Sequence, residues 1–289
     1  MNHYPTYIVP GLIPERFSGE IPRLTYLEKL LAHADIYSLS KRVNKEQFST
    51  SALNTSLAEA SADKLGIRSR YKYWLLASPI HLHIEGDGLV LMDSHTFPIT
   101  LEESQALVNT FNKHFLVDHI EFFTINKNQW LIGSQQEVIK HSTYPLDRAG
   151  RTIADYLPKG ENGAFWRQVF NEAQMLCHDH HVNLQRQDKQ QKPVSGIWFW
   201  DSLTQFSITQ YQIIDNLEAP AAYGDWEKWT SELVLLDNSL FRDLFLSLKK
   251  SNQVIRLFAT DHPNSKEIRL RPISPWLFWR RPKPLSSLV

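Results

Sequence analysis

Apolar positions along the chain change period several times, and each change marks an element. Tyr7–Val9 is a short apolar run closed by Pro10-Gly11, which predicts a buried strand. Leu24–His33 and Leu53–Leu65 carry apolar or small residues at helical spacing, the second stopping at Gly66 as a C-cap. Between them Ile36–Ser51 is polar and irregular. From Tyr71 the period falls to that of strands. Tyr73–Ala77, Ile80–Ile84 and Leu89–Met92 read as extended, with Glu85-Gly86-Asp87-Gly88 as a tight hairpin turn. Thr100–Phe115 reads as a helix, with Thr100 as N-cap and Glu103 completing a capping box. Its apolar side is Leu101, Leu107, Val108, Phe111 and Phe115. Ile120–Ile125 and Gln129–Gly133 form a second hairpin over Asn126-Lys127-Asn128.

A loop rich in Thr, Pro and Gly then runs from Ser142 to Gly163 and gives way to a helix over Ala164–His178. Its spacing turns Trp166, Val169, Phe170, Ala173 and Cys177 inward and leaves Gln168 and Asp179 in water. A polar Gln/Lys-rich linker leads to a tryptophan-rich strand over Ile197–Trp200. A long helix over about Asp225–Lys250 follows, then strands at Val254–Ala259 and Glu267–Leu270 and the tail SPWLFWRRPKP. No repeat or low-complexity tract interrupts this order. The pattern predicts an α+β (mixed α/β) fold, in which a central hairpin-helix-hairpin region packs on a layer of N- and C-terminal strands and helices. The expected division is 1–69, 70–185 and 186–289, the first part packing with the C-terminal part.

Composition narrows the class. The 289 residues carry 31 basic and 31 acidic side chains, so no global field draws in nucleic acid or an anionic membrane. No apolar run reaches the roughly 20 residues that span a bilayer. One cysteine, Cys177, makes no internal disulfide, and no charged n-region with an apolar h-region opens the chain, which predicts a cytoplasmic protein. Nine tryptophans and fifteen phenylalanines against eleven glycines predict a well-packed globule. Trp198, Trp200, Trp276 and Trp279 are therefore expected in the core or an interface, not as base-stacking platforms.

Candidate chemistry concentrates between Asn171 and Trp200. Asn171, Gln174 and His178 share one helical face, and Glu172, Met175 and Asp179 the neighbouring one. His178 is placed to relay a proton at neutral pH or to join a metal site, and the simpler reading is a histidine that complements the helix dipole. Asn171, Glu172 and Gln174 are candidates for a hydrogen-bond network that locks the helix or faces a ligand. Arg148, Arg151 and Lys159 before the helix, with Arg186 after it, are placed to clamp a carboxylate or phosphate, or to serve as solvated loop charges. A pocket is expected where His178, Asn183 and Arg186 converge, with Asn171, Glu172, Gln174 and Arg151 as further binding candidates. Cys177 reads as a buried small hydrophobe.

The order SPIHLHIEGDGLVL, PLDRAGRTIADYLPKG, NEAQMLCHDHHVNLQR, SGIWFW and WLFWRRPKPL resembles a family of proteobacterial proteins labelled RpfE-type regulatory or cofactor-independent phosphoglycerate mutase-like. His181-Val182-Asn183, Arg186 and Ile197-Trp198-Phe199-Trp200 are similar to the HPVN-R-IWLWG segment of archaeal-type cofactor-independent phosphoglycerate mutases. That resemblance implies a metal-dependent phosphomutase ancestry, with Val254–Ala259 followed by Asp261 and His262 matching a strand whose Asp-His supplies metal ligands. Two departures cut against the activity. Asp201-Ser202-Leu203 stands where relatives have a glycine-rich turn, and the first strand ends YIVPGLIP with no acid to hold a metal. The expected function is therefore a mutase-like protein with a regulatory or metabolite-sensing role. It would use no cofactor, bind a small phosphorylated or carboxylated metabolite, and engage neither nucleic acid nor membrane. The alternative is an active phosphoglycerate mutase using a divalent metal, manganese or zinc, at Asp261 and His262.

Overall fold

The computed structural model describes residues 4–15, 17–39, 42–49, 53–86, 88–139, 143–148, 150–261, 265–273 and 280–288. Asp87, His262, Trp276, Trp279 and the apolar start of the tail lie outside the described residues. In chain order, β1 (Thr6–Pro10), α1 (Leu27–Ala32), β2 (Ala34–Ser38) and β3 (Phe48–Ser49) come first. Then follow α2 (Leu57–Lys64), β4 (Tyr73–Glu85), β5 (Gly88–Met92), α3 (Leu101–His114), β6 (Ile120–Asn126) and β7 (Gln129–Ser134). The motif region holds α4 (Gly163–His178), α5 (His181–Asp188) and β8 (Gly196–Trp200). The chain continues through β9 (Phe206–Ser207), β10 (Gln212–Ile213), α6 (Glu218–Tyr223), α7 (Trp226–Leu236), α8 (Arg242–Leu248), β11 (Ile255–Thr260) and β12 (Lys266–Leu270). The fold is mixed α/β.

Two compact units divide these elements, Met1–Thr50 with Phe206–Val289, and Ser51–Gln205. Boundaries at 69/70 and 185/186 are corrected by pairing that crosses them. β8 pairs antiparallel with β4, and α2 packs against β4, so all three belong to the second unit.

The first unit is built on a sheet of order β10-β1-β11-β12-β2, parallel across β10-β1-β11 and antiparallel beyond. The polar stretch after Ile36, read as irregular, contributes most of β2 at the sheet edge and the short β3. The long C-terminal helix is interrupted by a π turn over Asp237–Phe241. Asp237 there accepts from the N–H groups of Tyr26 and Leu27 and so caps α1 from a distant part of the chain. Lys45 is buried against Glu218, with Asp215 beside it. Burial alone would push its ammonium down, but the two carboxylates override this and hold it above the ordinary lysine range.

The second unit is an antiparallel sheet, β5-β4-β7-β6, with β8 on β4. The capping box predicted at Thr100 and Glu103 closes on both sides. Leu101, expected on the apolar side of α3, is 44% exposed, and Ser104 takes the inward place, where it accepts the Trp130 indole N–H at 2.6 Å. Tyr73–Ala77 and Ile80–Ile84 join into one strand through Ser78-Pro79. Backbone parity explains why proline is tolerated. The Ile80 carbonyl accepts from Ser195 on the β8 side, so odd-numbered residues of β4 turn to the other edge. That edge is paired with β7 through Ala77 and with β5 from His81, and Pro79 falls in the gap, where no ladder hydrogen bond is lost.

Candidate functional site

α4 presents an unbroken apolar face because its buried positions, Trp166, Val169, Phe170, Ala173 and Cys177, recur at helical spacing. They pack on β8, where Trp166 meets Phe199 edge-on at 5.1 Å between ring centroids. Gly196 permits a close approach, since a Cβ there would lie 2.9 Å from the Gln174 Cγ. The helix ends at His178, and His180 turns the chain into α5. Its Nδ1 accepts from the Val182 N–H at 3.2 Å, which leaves Nε2 to carry the proton and donate to Thr110 Oγ1 at 2.8 Å.

Burial, with the neighbouring His181 charge, holds the His180 imidazole below its ordinary value of 6.5. Below that value the unfolded chain takes up the proton first, so this contribution to stability is present above pH 6.5 and is lost as pH falls beneath it. His33 and His81 shift in the same direction. His180→Asn, which keeps a capping side chain, should therefore shrink but not abolish the loss of stability between about pH 7 and about pH 5 in chemical denaturation. An unchanged slope would show that His180 does not titrate as a buried neutral cap.

The expected site residues separate into a surface set and an interior set. His178 and Asn171 are exposed. Glu172 accepts from Gln168 and pairs with His114 Nε2 at 2.7 Å, and these bonds, the Gln168 one foremost, hold its carboxyl below the ordinary range. Asn183 is buried. Its amide donates to the carbonyls of Cys177 and Val194 and accepts from the Val194 N–H, which ties the end of α4 to the entry of β8. Arg186 is 2% exposed and turns into the fold rather than toward a pocket. It pairs with Glu103 at 2.9 Å and donates to the carbonyls of Pro98 and Lys192. Arg148 lies over the Tyr156 ring at 3.6 Å, and Arg151 sits on the loop that covers the outer edge of β5. Burial pushes the Cys177 thiol up to about 12, consistent with a small core side chain rather than a nucleophile.

Gln174, His178 and Asn183 do come together. They line a groove of about 630 Å³ between α4–α5 and the outer half of the β4–β5 hairpin. Leu82, Ile84, Leu89 and Leu184 form its apolar wall, and Gln187, Gln190 and Gln191 its rim. None of these side chains is Lys, Arg, Asp or Glu.

No family model matches the chain. Over 104 residues it is 28% identical to the 2,3-bisphosphoglycerate-independent phosphoglycerate mutase of Methanosarcina mazei, a match covering 35% of this chain and 26% of that protein. The corresponding Methanosarcina barkeri protein is 29% identical over 108 residues, with the same shares covered. The chain is remotely similar to cofactor-independent phosphoglycerate mutases. The matched segment spans 26% of the length of these relatives. Two solved structures are also similar. One is the cofactor-independent phosphoglycerate mutase of Thermoplasma acidophilum, with TM-score 0.38, 11% identity and coverage of 99% of this chain and 94% of that one. The other is a protein of Pyrococcus horikoshii, with TM-score 0.47, 10% identity and coverage of 93% and 87%.

Two further aspartates stand at strand ends. At the end of β8 the Asp201 carboxylate accepts from Ser56 Oγ at 2.7 Å, the Ala58 N–H at 3.1 Å and the Ser202 N–H at 2.8 Å. It thereby closes on the first turn of α2, and burial pushes its carboxyl above the ordinary value against those bonds. Asp261 follows β11 in the left-handed region, φ 67°, its N–H bonded to the Val43 carbonyl. Among the described residues no three His, Cys, Asp or Glu side chains are grouped to hold a metal ion. No helix among the described residues is long and apolar enough to cross a membrane.

Proposed function

We propose that this chain is a phosphoglycerate mutase-like protein with a regulatory, ligand-binding role and no mutase turnover of its own. The observation that carries the reading is Asp201. Amide and hydroxyl donors at the start of a helix are where an anion is readily held. Here the Ser56 hydroxyl and the Ala58 N–H already serve a carboxylate of the same chain, which brings its own negative charge to that turn. A phosphoryl group would meet repulsion and spent donors. The groove beside α4 is the binding site in this reading, with His178, Gln174 and Asn183 in its lining. No cation comes from Arg186, because that buried guanidinium is committed to Glu103 and to the Pro98 and Lys192 carbonyls and is not in the groove lining.

The second reading, an active mutase using manganese or zinc, draws support from one feature. Asp261 stands at the carboxyl end of β11, a strand parallel to β1, where α/β sheets commonly bind ligands. A metal titration separates the readings. The melting temperature should be insensitive to manganese or zinc in the wild type and in Asp261→Ala alike. A metal-dependent rise in the wild type that Asp261→Ala removes would favour the active enzyme.

A further inference from the structure

The wall of the groove formed by β4 includes a strand edge that the β8 ladder leaves beyond Ile80. Even-numbered residues of β4 aim their main-chain groups at the β8 side, since the Ile80 carbonyl accepts from the Ser195 N–H and the Leu82 N–H donates to Ser195 Oγ. β8 itself pairs only as far as Ile80. The partner strand β5 confirms the parity, because Leu89 and Leu91 bond outward to Ile153, Arg151 and Gly150 and not to β4. The Ile84 N–H and carbonyl therefore face the edge that β8 leaves, with no partner among the described residues, and the Ile84 side chain, 73% exposed, lines the groove. Facing this edge, Gln174, Gln187, Gln190 and Gln191 make no side-chain hydrogen bond with any described residue.

We infer that the groove takes an extended, uncharged polypeptide segment of a partner protein, added as a short strand along Leu82–Ile84. An open edge supplies alternating donors and acceptors at strand spacing, which a peptide backbone matches. Glutamine amides, each both donor and acceptor, suit peptide groups on the opposite side. A lining without Lys, Arg, Asp or Glu argues for an uncharged segment, and Leu82, Ile84, Leu89 and Leu184 give aliphatic side chains a place to sit. The inference rests on the reading of this groove as the binding site.

The test uses the full chain labelled with nitrogen-15 and a capped, alternating threonine-valine pentapeptide as probe. The peptide should shift the Ile84 main-chain amide and the side-chain amides of Gln174 and Gln187. Both effects should be lost when alternate peptide nitrogens are methylated, and lost again in Ile84→Pro, which removes an N–H that the fold does not use. Gln187→Ala, at an exposed position, should weaken the peptide shifts and leave the remaining spectrum unchanged. Four results would overturn the inference: no shift at Ile84, equal shifts from the methylated peptide, shifts at Ile84 from 3-phosphoglycerate in place of the peptide, or concentration-dependent Ile84 shifts without peptide, the mark of a second copy. Mutase turnover by a chain that still binds the peptide would instead overturn the proposed function and leave this site standing.

Discussion

Replacing Arg186 with alanine is expected to destabilise the chain by about 3–5 kcal/mol, because it removes a buried guanidinium and leaves the half-buried Glu103 carboxylate and two carbonyls without their donor. The guanidinium holds three segments at once. It meets Glu103 in the first turn of α3, the Pro98 carbonyl just before that helix, and the Lys192 carbonyl on the way to β8. Glu103 also accepts from the Thr100 N–H, so the ion pair is continuous with the capping box. Arg186→Lys would keep the charge but not the fork of donors, and should recover only part of the loss. The double variant Arg186→Met with Glu103→Gln should be less damaging than the sum of the single changes, since no uncompensated charge remains. Chemical denaturation of Arg186→Ala, Arg186→Lys, Arg186→Met, Glu103→Gln and the double variant reads this directly. A loss below about 1 kcal/mol for Arg186→Ala would place the arginine among the surface pairs, whose contribution is small.

Phe170→Ala should cost a similar amount, about 3–5 kcal/mol, by a different route. Phe170 is 3% exposed on the face of α4 that packs against β8, with Phe199 at 6.4 Å between ring centroids. Truncation removes apolar surface from the core and leaves a cavity whose walls, Trp166 and Phe199 among them, are held by the rest of the sheet and helix packing. Denaturation midpoints should fall while the slope against denaturant stays constant. A shift of under about 1 kcal/mol would mean that the site collapses without cost or that this face is not the packed one.

Legibility in the sequence followed the strength of the apolar period. α4 shows its buried face plainly because five large or small apolar residues repeat at helical spacing, and the residues expected inside are inside. α5 does not, because its inward face is Val182, Asn183 and Arg186, of which two are polar. A helix whose buried side is an amide and a guanidinium looks like a linker when only apolar residues are counted. Ser78-Pro79 divided β4 into two strands on paper, since the gap between β7 and β5 that accommodates Pro79 depends on pairings far apart in sequence. The candidate site was legible in the same partial way. His178, Gln174 and Asn183 lie near one helix end in sequence and line one groove in the fold. Arg186 was placed with them by spacing, yet helix α5 points it the other way, toward Glu103. The open edge of β4 had no local signal at all, because a strand edge is defined by which neighbour stops short of it.

The proposal that the chain has no mutase turnover is tested most directly by phosphorus NMR of 3-phosphoglycerate incubated with the purified full chain, with and without manganese. The expected spectrum keeps the 3-phosphoglycerate resonance unchanged under both conditions. Growth of the 2-phosphoglycerate resonance to equilibrium in the presence of manganese, abolished in Asp261→Ala, would contradict it.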